Sequence, residues 1–78
     1  MTLAADDLIS YLIEELNIAP PIDLDTELFS SGILDSVSLV SLIGFIEEKA
    51  RTTIPPVDVT LENFDSVDRI VAYVSSLE

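Results

Sequence analysis

Gly32-Ile33-Leu34-Asp35-Ser36-Val37-Ser38-Leu39 places a turn-forming glycine, an acid and a serine directly ahead of an apolar helical period. From Ser36 to Arg51, Leu39, Leu42, Ile43, Ile46 and Ala50 converge on an arc about 100° wide, the pattern of a helix that buries one face. Asp35 or Ser36 caps its start, because short polar side chains accept hydrogen bonds from the unpaired amides of a first turn. The helix is over by Ile54-Pro55-Pro56, where proline removes backbone donors and turns the preceding residue away from helical angles. A serine in this position is exposed and held in a defined direction. The open amides and the helix dipole favour a phosphate attached there. Taken alone, the Asp-Ser pair reads as a plain helix cap, since Asp and Ser are the usual capping residues.

Upstream, Asp6 to Asn17 set Leu8, Ile9, Leu12, Ile13 and Leu16 on one arc, with Asp6, Ser10, Glu14 and Asn17 opposite, which predicts an amphipathic first helix. Residues 18–32 carry Pro20 and Pro21 and end in Ser30-Ser31-Gly32, a loop. Its apolar residues Ile22, Leu24, Leu28 and Phe29 predict that it lies across the bundle and closes the core. Downstream, Thr60 caps a single turn through Phe64. Asp65 or Ser66 caps a last helix with Val67, Ile70, Val71, Val74 and Leu77 inward. The expectation is an all-α protein, an antiparallel four-helix bundle of three main helices and a short third one, forming a single domain over 1–78. Gly44, Ile54 and Val59 are candidates to line a shallow groove.

Composition narrows the chemistry. The 78 residues contain no cysteine and no histidine, which removes disulfides, thiolate and imidazole nucleophiles, and zinc sites built from those ligands. No run approaches the roughly 20 apolar residues of a membrane-spanning helix, and Met1 to Asp7 lack the basic start of a secretory signal, so a cytoplasmic chain is expected. The net charge is −12, and Lys49, Arg51 and Arg69 are the only cations. Such a field repels nucleic acid and anionic lipid, and it steers proteins with basic docking surfaces. Asp23-Leu24-Asp25-Thr26-Glu27 alternates acids like a calcium loop but lacks the glycine and the closing glutamate such a loop needs. The adjacent pairs Glu14-Glu15 and Glu47-Glu48 point about 100° apart on a helix and read as solvated face. No metal site and no catalytic set is expected.

Taken together, the first helix, the Asp25-Thr26-Glu27-Leu28-Phe29 loop, the Gly32–Val37 turn, the Ile54-Pro55 exit and Asn63-Phe64-Asp65-Ser66-Val67 resemble the acyl and peptidyl carrier protein family over essentially the full chain. The resemblance implies that Ser36 receives 4'-phosphopantetheine from coenzyme A, with Asp35 flanking it. A magnesium-dependent phosphopantetheinyl transferase would activate the Ser36 hydroxyl to attack the coenzyme A pyrophosphate. An adenylating acyl or aminoacyl ligase would then load the arm's thiol, and acyltransferase or synthase domains would draw on the resulting thioester. The chain itself would be a non-catalytic monomer.

On the outward side of the second helix, Val37, Val40, Ser41, Gly44, Phe45, Glu47 and Glu48 lie off the core arc. Several are apolar where a solvated face would be charged, so this face is a candidate docking patch, with Glu47 and Glu48 among the steering acids. Carriers of fatty-acid synthesis tend to place acids two and five residues after the modified serine, where this chain has Ser38 and Ser41. The motif looks more like stand-alone carriers loaded with amino acids. These include carriers of polyketide and nonribosomal peptide pathways and the D-alanyl carrier of Gram-positive walls. The expected role is therefore a carrier in secondary metabolism, with a D-alanyl or fatty-acid carrier as the alternative within the family. A cofactor-free acidic helical adaptor is the alternative from another class.

Overall fold

The computed structural model describes residues 3–77. Met1 and Thr2, part of the stretch tested for a signal segment, and Glu78, the end of the expected domain, lie outside the described residues. Four helices follow in order: α1 (Ala5–Glu14), α2 (Ser36–Ala50), α3 (Leu61–Phe64) and α4 (Val67–Leu77). A 3-10 turn at Pro56–Asp58, which the prolines had suggested only as a break, joins α2 to α3. Among the described residues there is no strand, as expected of a helical bundle.

All four helices and the long loop contribute to one apolar core. Leu3, Leu8 and Leu12 enter from the amino-terminal side, and Leu42, Ile46 and Ala50 from α2. Phe64, Val67, Ile70 and Val74 enter from α3 and α4. The long loop supplies Ile22, Leu28 and Leu34, so it does close the core as its apolar content required. Each fully buried leucine or isoleucine contributes about 1.5–3 kcal/mol. Two expected core positions fail. Leu24 is 50% exposed, because the loop is held there through its backbone, with the Asp68 N–H donating to the Leu24 carbonyl at 2.9 Å. Leu77 is 38% exposed, because the packed face of α4 closes with Val74. Leu39 and Ile43 are half-buried at the edge of the α2 face.

The ends of α1 and α2 are set by left-handed residues. α1 stops at Glu14 instead of continuing to Asn17: the Leu16 N–H reaches back to the Tyr11 carbonyl and the Ile18 N–H to the Leu12 carbonyl, around Asn17 at φ 57°. Asparagine tolerates that region better than most residues. α2 ends at Arg51, φ 54°, where the Arg51 and Thr52 amides both donate to the Glu47 carbonyl. The Glu47 carboxylate then accepts the Ile54 N–H at 2.8 Å. Glu47, expected on the docking face, is thus half-buried and engaged in holding the exit from α2.

Gly44 lies mid-helix, exposed, with nothing within 4 Å of where a Cβ would stand. Glycine there costs backbone entropy with no steric return, so Gly44→Ala should stabilise the fold by about 0.5–1 kcal/mol. A thermal melt should rise by about 2–8 °C; a fall would mean the site cannot accept a methyl group.

Candidate functional site

The turn before α2 is built by Gly32. At φ 84° it adopts a conformation that side-chain-bearing residues rarely take, and its N–H closes onto the Phe29 carbonyl at 3.1 Å. The Leu34 N–H then bonds the Leu28 carbonyl at 2.9 Å, and the Leu34 side chain is buried as an anchor. The chain is thereby delivered to Asp35 in extended conformation. Asp35 Oδ1 accepts the Ser38 N–H at 2.8 Å, and its carbonyl accepts the Leu39 N–H at 2.9 Å. Capping falls to Asp35 and not to Ser36. Ser36 is the first residue of α2 and is exposed, with its hydroxyl left out of the cap. The amides of Ser36 and Val37 belong to the first turn and have no acceptor within the helix.

What holds this turn against the bundle is Asp65, a buried carboxylate. Its Oδ1 accepts the Phe29 N–H at 2.8 Å and the Ser30 N–H at 2.9 Å, and its Oδ2 accepts the Ser30 hydroxyl at 2.7 Å. Its own carbonyl accepts the Leu28 N–H at 2.7 Å. Of the two residues expected to cap α4, Ser66 does so: its Oγ accepts the Arg69 N–H at 3.2 Å. The tripeptide Asp-Ser-Val occurs twice, at 35–37 and 65–67, with the roles exchanged. In the first copy the acid caps and the serine is free. In the second the serine caps, the acid ties down a distant loop, and both are buried.

The electrostatics follow from these bonds. The Ser30 amide and hydroxyl, then the Phe29 amide, hold the Asp65 carboxyl below its ordinary range against the opposing effect of burial. The Ser38 amide, then its hydroxyl, do the same for Asp35. Lowered folded-state values mean that both carboxylates contribute stability above the unfolded carboxylate range near pH 4. That contribution is lost as pH falls through the folded values. At the other end, burial and then a 2.6 Å hydrogen bond to Asp58 push the Tyr73 hydroxyl up from 10.0 to about 12. Its contribution is complete below pH 10 and disappears as pH rises toward 12. Melting temperature should therefore lose the carboxylate contribution as pH drops below about 4 and the Tyr73 contribution as it rises from 10 toward 12, and Tyr73→Phe should lessen the alkaline fall.

On the outward face of α2, Val37 and Val40 are 76% and 71% exposed, and Ser41, Gly44 and Glu48 are exposed beside them. Ile33, in the turn, is 40% exposed. Two further exposed residues were not anticipated: Val57 in the 3-10 turn, 81%, and Leu61 on α3, 55%. Phe45 departs from the expected face: it is half-buried and stacks on Tyr11. An open groove lies between α1 and α2, and Ile54 is buried. Among the described residues no group of three or more acidic side chains is placed to hold a metal ion, and no helix is long and apolar enough to cross a membrane.

Residues 6–74 match the family described as "Phosphopantetheine attachment site". The chain belongs to this family. Its members carry phosphopantetheine as a covalently attached prosthetic group and are generally non-catalytic carriers. Among relatives, the lincomycin biosynthesis protein LmbN of Streptomyces lincolnensis is 45% identical over 53 residues, 68% of this chain. The chain spans only 19% of that protein's length. The D-alanyl carrier protein of Lactobacillus acidophilus is 33% identical over 55 residues, 70% of each chain. That of Abiotrophia defectiva is 38% identical over 52 residues, 67% of this chain and 66% of its own.

Proposed function

We propose that Ser36 carries the 4'-phosphopantetheine arm and that this carrier holds aminoacyl or acyl groups for enzymes of a secondary-metabolic pathway of the polyketide or nonribosomal peptide kind, as one carrier domain over 1–78. The observation that supports Ser36 is the division of labour at the head of α2. Asp35 does the capping, so the exposed hydroxyl is free for attachment without loss of the helix start. The site fits the group. A phosphodiester on Ser36 Oγ would lie by the first-turn amides at the positive end of the helix dipole. When attached, the group supplies a terminal thiol for thioester formation, a function this cysteine-free chain has no residue to perform. Ser66, the other serine of an Asp-Ser-Val, is buried and committed as a cap.

The test is conversion by a broad-specificity phosphopantetheinyl transferase with coenzyme A and magnesium, read by intact mass. The protein should gain one phosphopantetheine; no gain sinks the reading. For cargo, similarity to a protein named for lincomycin biosynthesis supports the secondary-metabolic role. A second reading, a D-alanyl carrier, draws on matches that span about two thirds of both chains. Offering the holo form in parallel to D-alanine, other amino-acid and fatty-acid ligases decides between them. Loading by the D-alanine ligase alone would favour the second reading, and loading with long-chain fatty acids alone would defeat both.

The docking patch proposed on Val37, Val40, Ser41, Gly44 and Glu48 makes its own prediction. Val40→Glu puts a desolvated carboxylate into any apolar contact there and should slow loading by a partner ligase about tenfold or more. The helical circular dichroism should be unchanged. Unaltered transfer kinetics would remove Val40 from the interface.

A further inference from the structure

The groove between α1 and α2 takes no part in presenting Ser36, yet it has a defined chemistry. It is an open depression of about 220 Å³. The rings of Tyr11 and Phe45 line it and stack with centroids 4.1 Å apart and planes 18° from parallel. Tyr11 is fixed in place by its hydroxyl, which donates to the Ser41 carbonyl at 3.0 Å. Asp7, Glu14 and Glu15 also line the groove, as does Lys49. The Lys49 ammonium sits 5.9 Å from the Phe45 ring centroid, at the outer limit of cation–π attraction. Three carboxylates against one ammonium leave the groove negative.

Aromatic surface bordered by surplus carboxylates fits a planar cation on an apolar stem. A guanidinium stacks on rings, is weakly hydrated, and forks onto carboxylates, whereas an ammonium is a strongly hydrated point charge. We propose that this groove seats an arginine side chain presented by a partner protein. Phe45 and Lys49 lie nine and thirteen residues beyond Ser36, about 14–20 Å along α2. An enzyme that engages the head of the helix could therefore place an arginine here at the same time. That the partner is a carrier-handling enzyme rests on the function proposed above; the binding chemistry of the groove does not.

The experiment is a titration of the apo protein with Nα-acetyl-L-arginine amide, followed by the ring resonances of Tyr11 and Phe45, with Nα-acetyl-L-lysine amide and spermidine as comparators. Arginine amide should produce saturable shifts confined to the groove, in the millimolar range, and bind several-fold more tightly than lysine amide. The double variant Glu14→Gln/Glu15→Gln, at two exposed positions, should weaken it about three- to tenfold. Phe45→Leu should keep the apolar packing and lose the preference for arginine over lysine. Ser36→Ala should leave the titration unchanged, which separates this proposal from the carrier reading. Non-saturating shifts spread over the acidic surface, a stronger response to spermidine, or indifference to the double glutamine variant would each overturn it.

Discussion

Ser36→Ala should abolish phosphopantetheine transfer completely, with no residual mass gain after prolonged incubation, while the melting temperature stays within a few degrees of the parent. Both halves of that expectation come from the same geometry. The hydroxyl is the proposed nucleophile toward coenzyme A, and the other hydroxyl of the first turn, on Ser38, is engaged with the Asp35 carboxylate. Yet the structure has not entrusted the helix start to it. Asp35 Oδ1 takes the Ser38 amide, and the Asp35 carbonyl takes that of Leu39. Ser36 is exposed, and exposed positions away from a cap or buried network usually alter stability by no more than about 0.5 kcal/mol. A variant that still gained the mass would move the attachment to another hydroxyl. A variant that unfolded would mean that Ser36 shares the capping role.

The largest stability effect is expected at Asp65. Asp65→Ala removes an acceptor that serves two amides and a hydroxyl, and leaves the Phe29 and Ser30 amides without it in a partly buried setting. Hydrogen bonds to charged groups are worth about 1.5–3 kcal/mol, so a loss of about 2–3 kcal/mol is expected. A chain of this size is stable by only about 4–12 kcal/mol, and the melt should fall by about 10–20 °C. Asp65→Asn keeps an oxygen for the two amides and should lose much less. The loss in Asp65→Ala should shrink as pH drops below about 4, because the parent gives up the same bonds when the carboxyl is protonated. An unchanged melt in Asp65→Ala would mean that the loop is held by its apolar anchors Leu28 and Leu34 alone.

The contrast between these two aspartates marks what the sequence could reveal. The α2 face, the order of the helices and the start of α2 follow from local rules, periodicity and capping, that act within one or two turns. So did the closing of the core by Ile22 and Leu28, since so many apolar residues in a loop must be buried somewhere. The Asp65 bonds span 35 and 36 positions of chain, and nothing local announces them. The repeated Asp-Ser-Val shows the limit plainly, because the same three residues take opposite roles in two surroundings. The residue before each copy gives no signal, since Leu34 and Phe64 are both large, apolar and buried. Glu47 was misplaced for a related reason. Its helical angle puts it off the core arc, but its reach to the Ile54 amide depends on how the chain folds back after Arg51. Leu24 and Leu77 failed because composition says how much apolar surface must be covered and not which residue is left over.

The bonds from Asp65 and Asp68 to the loop also impose an order in time. Backbone and side-chain partners for residues 24–30 come from residues 65–68, far later in the chain. During synthesis, α2 can form its own turns while the segment leading into it still lacks the partners at residues 65–68. The serine is therefore presented in its final setting only when translation has passed residue 68. A chain that stops short of residue 65 lacks the groups that bond residues 28–30, so the turn leading into α2 would be without its long-range hydrogen bonds.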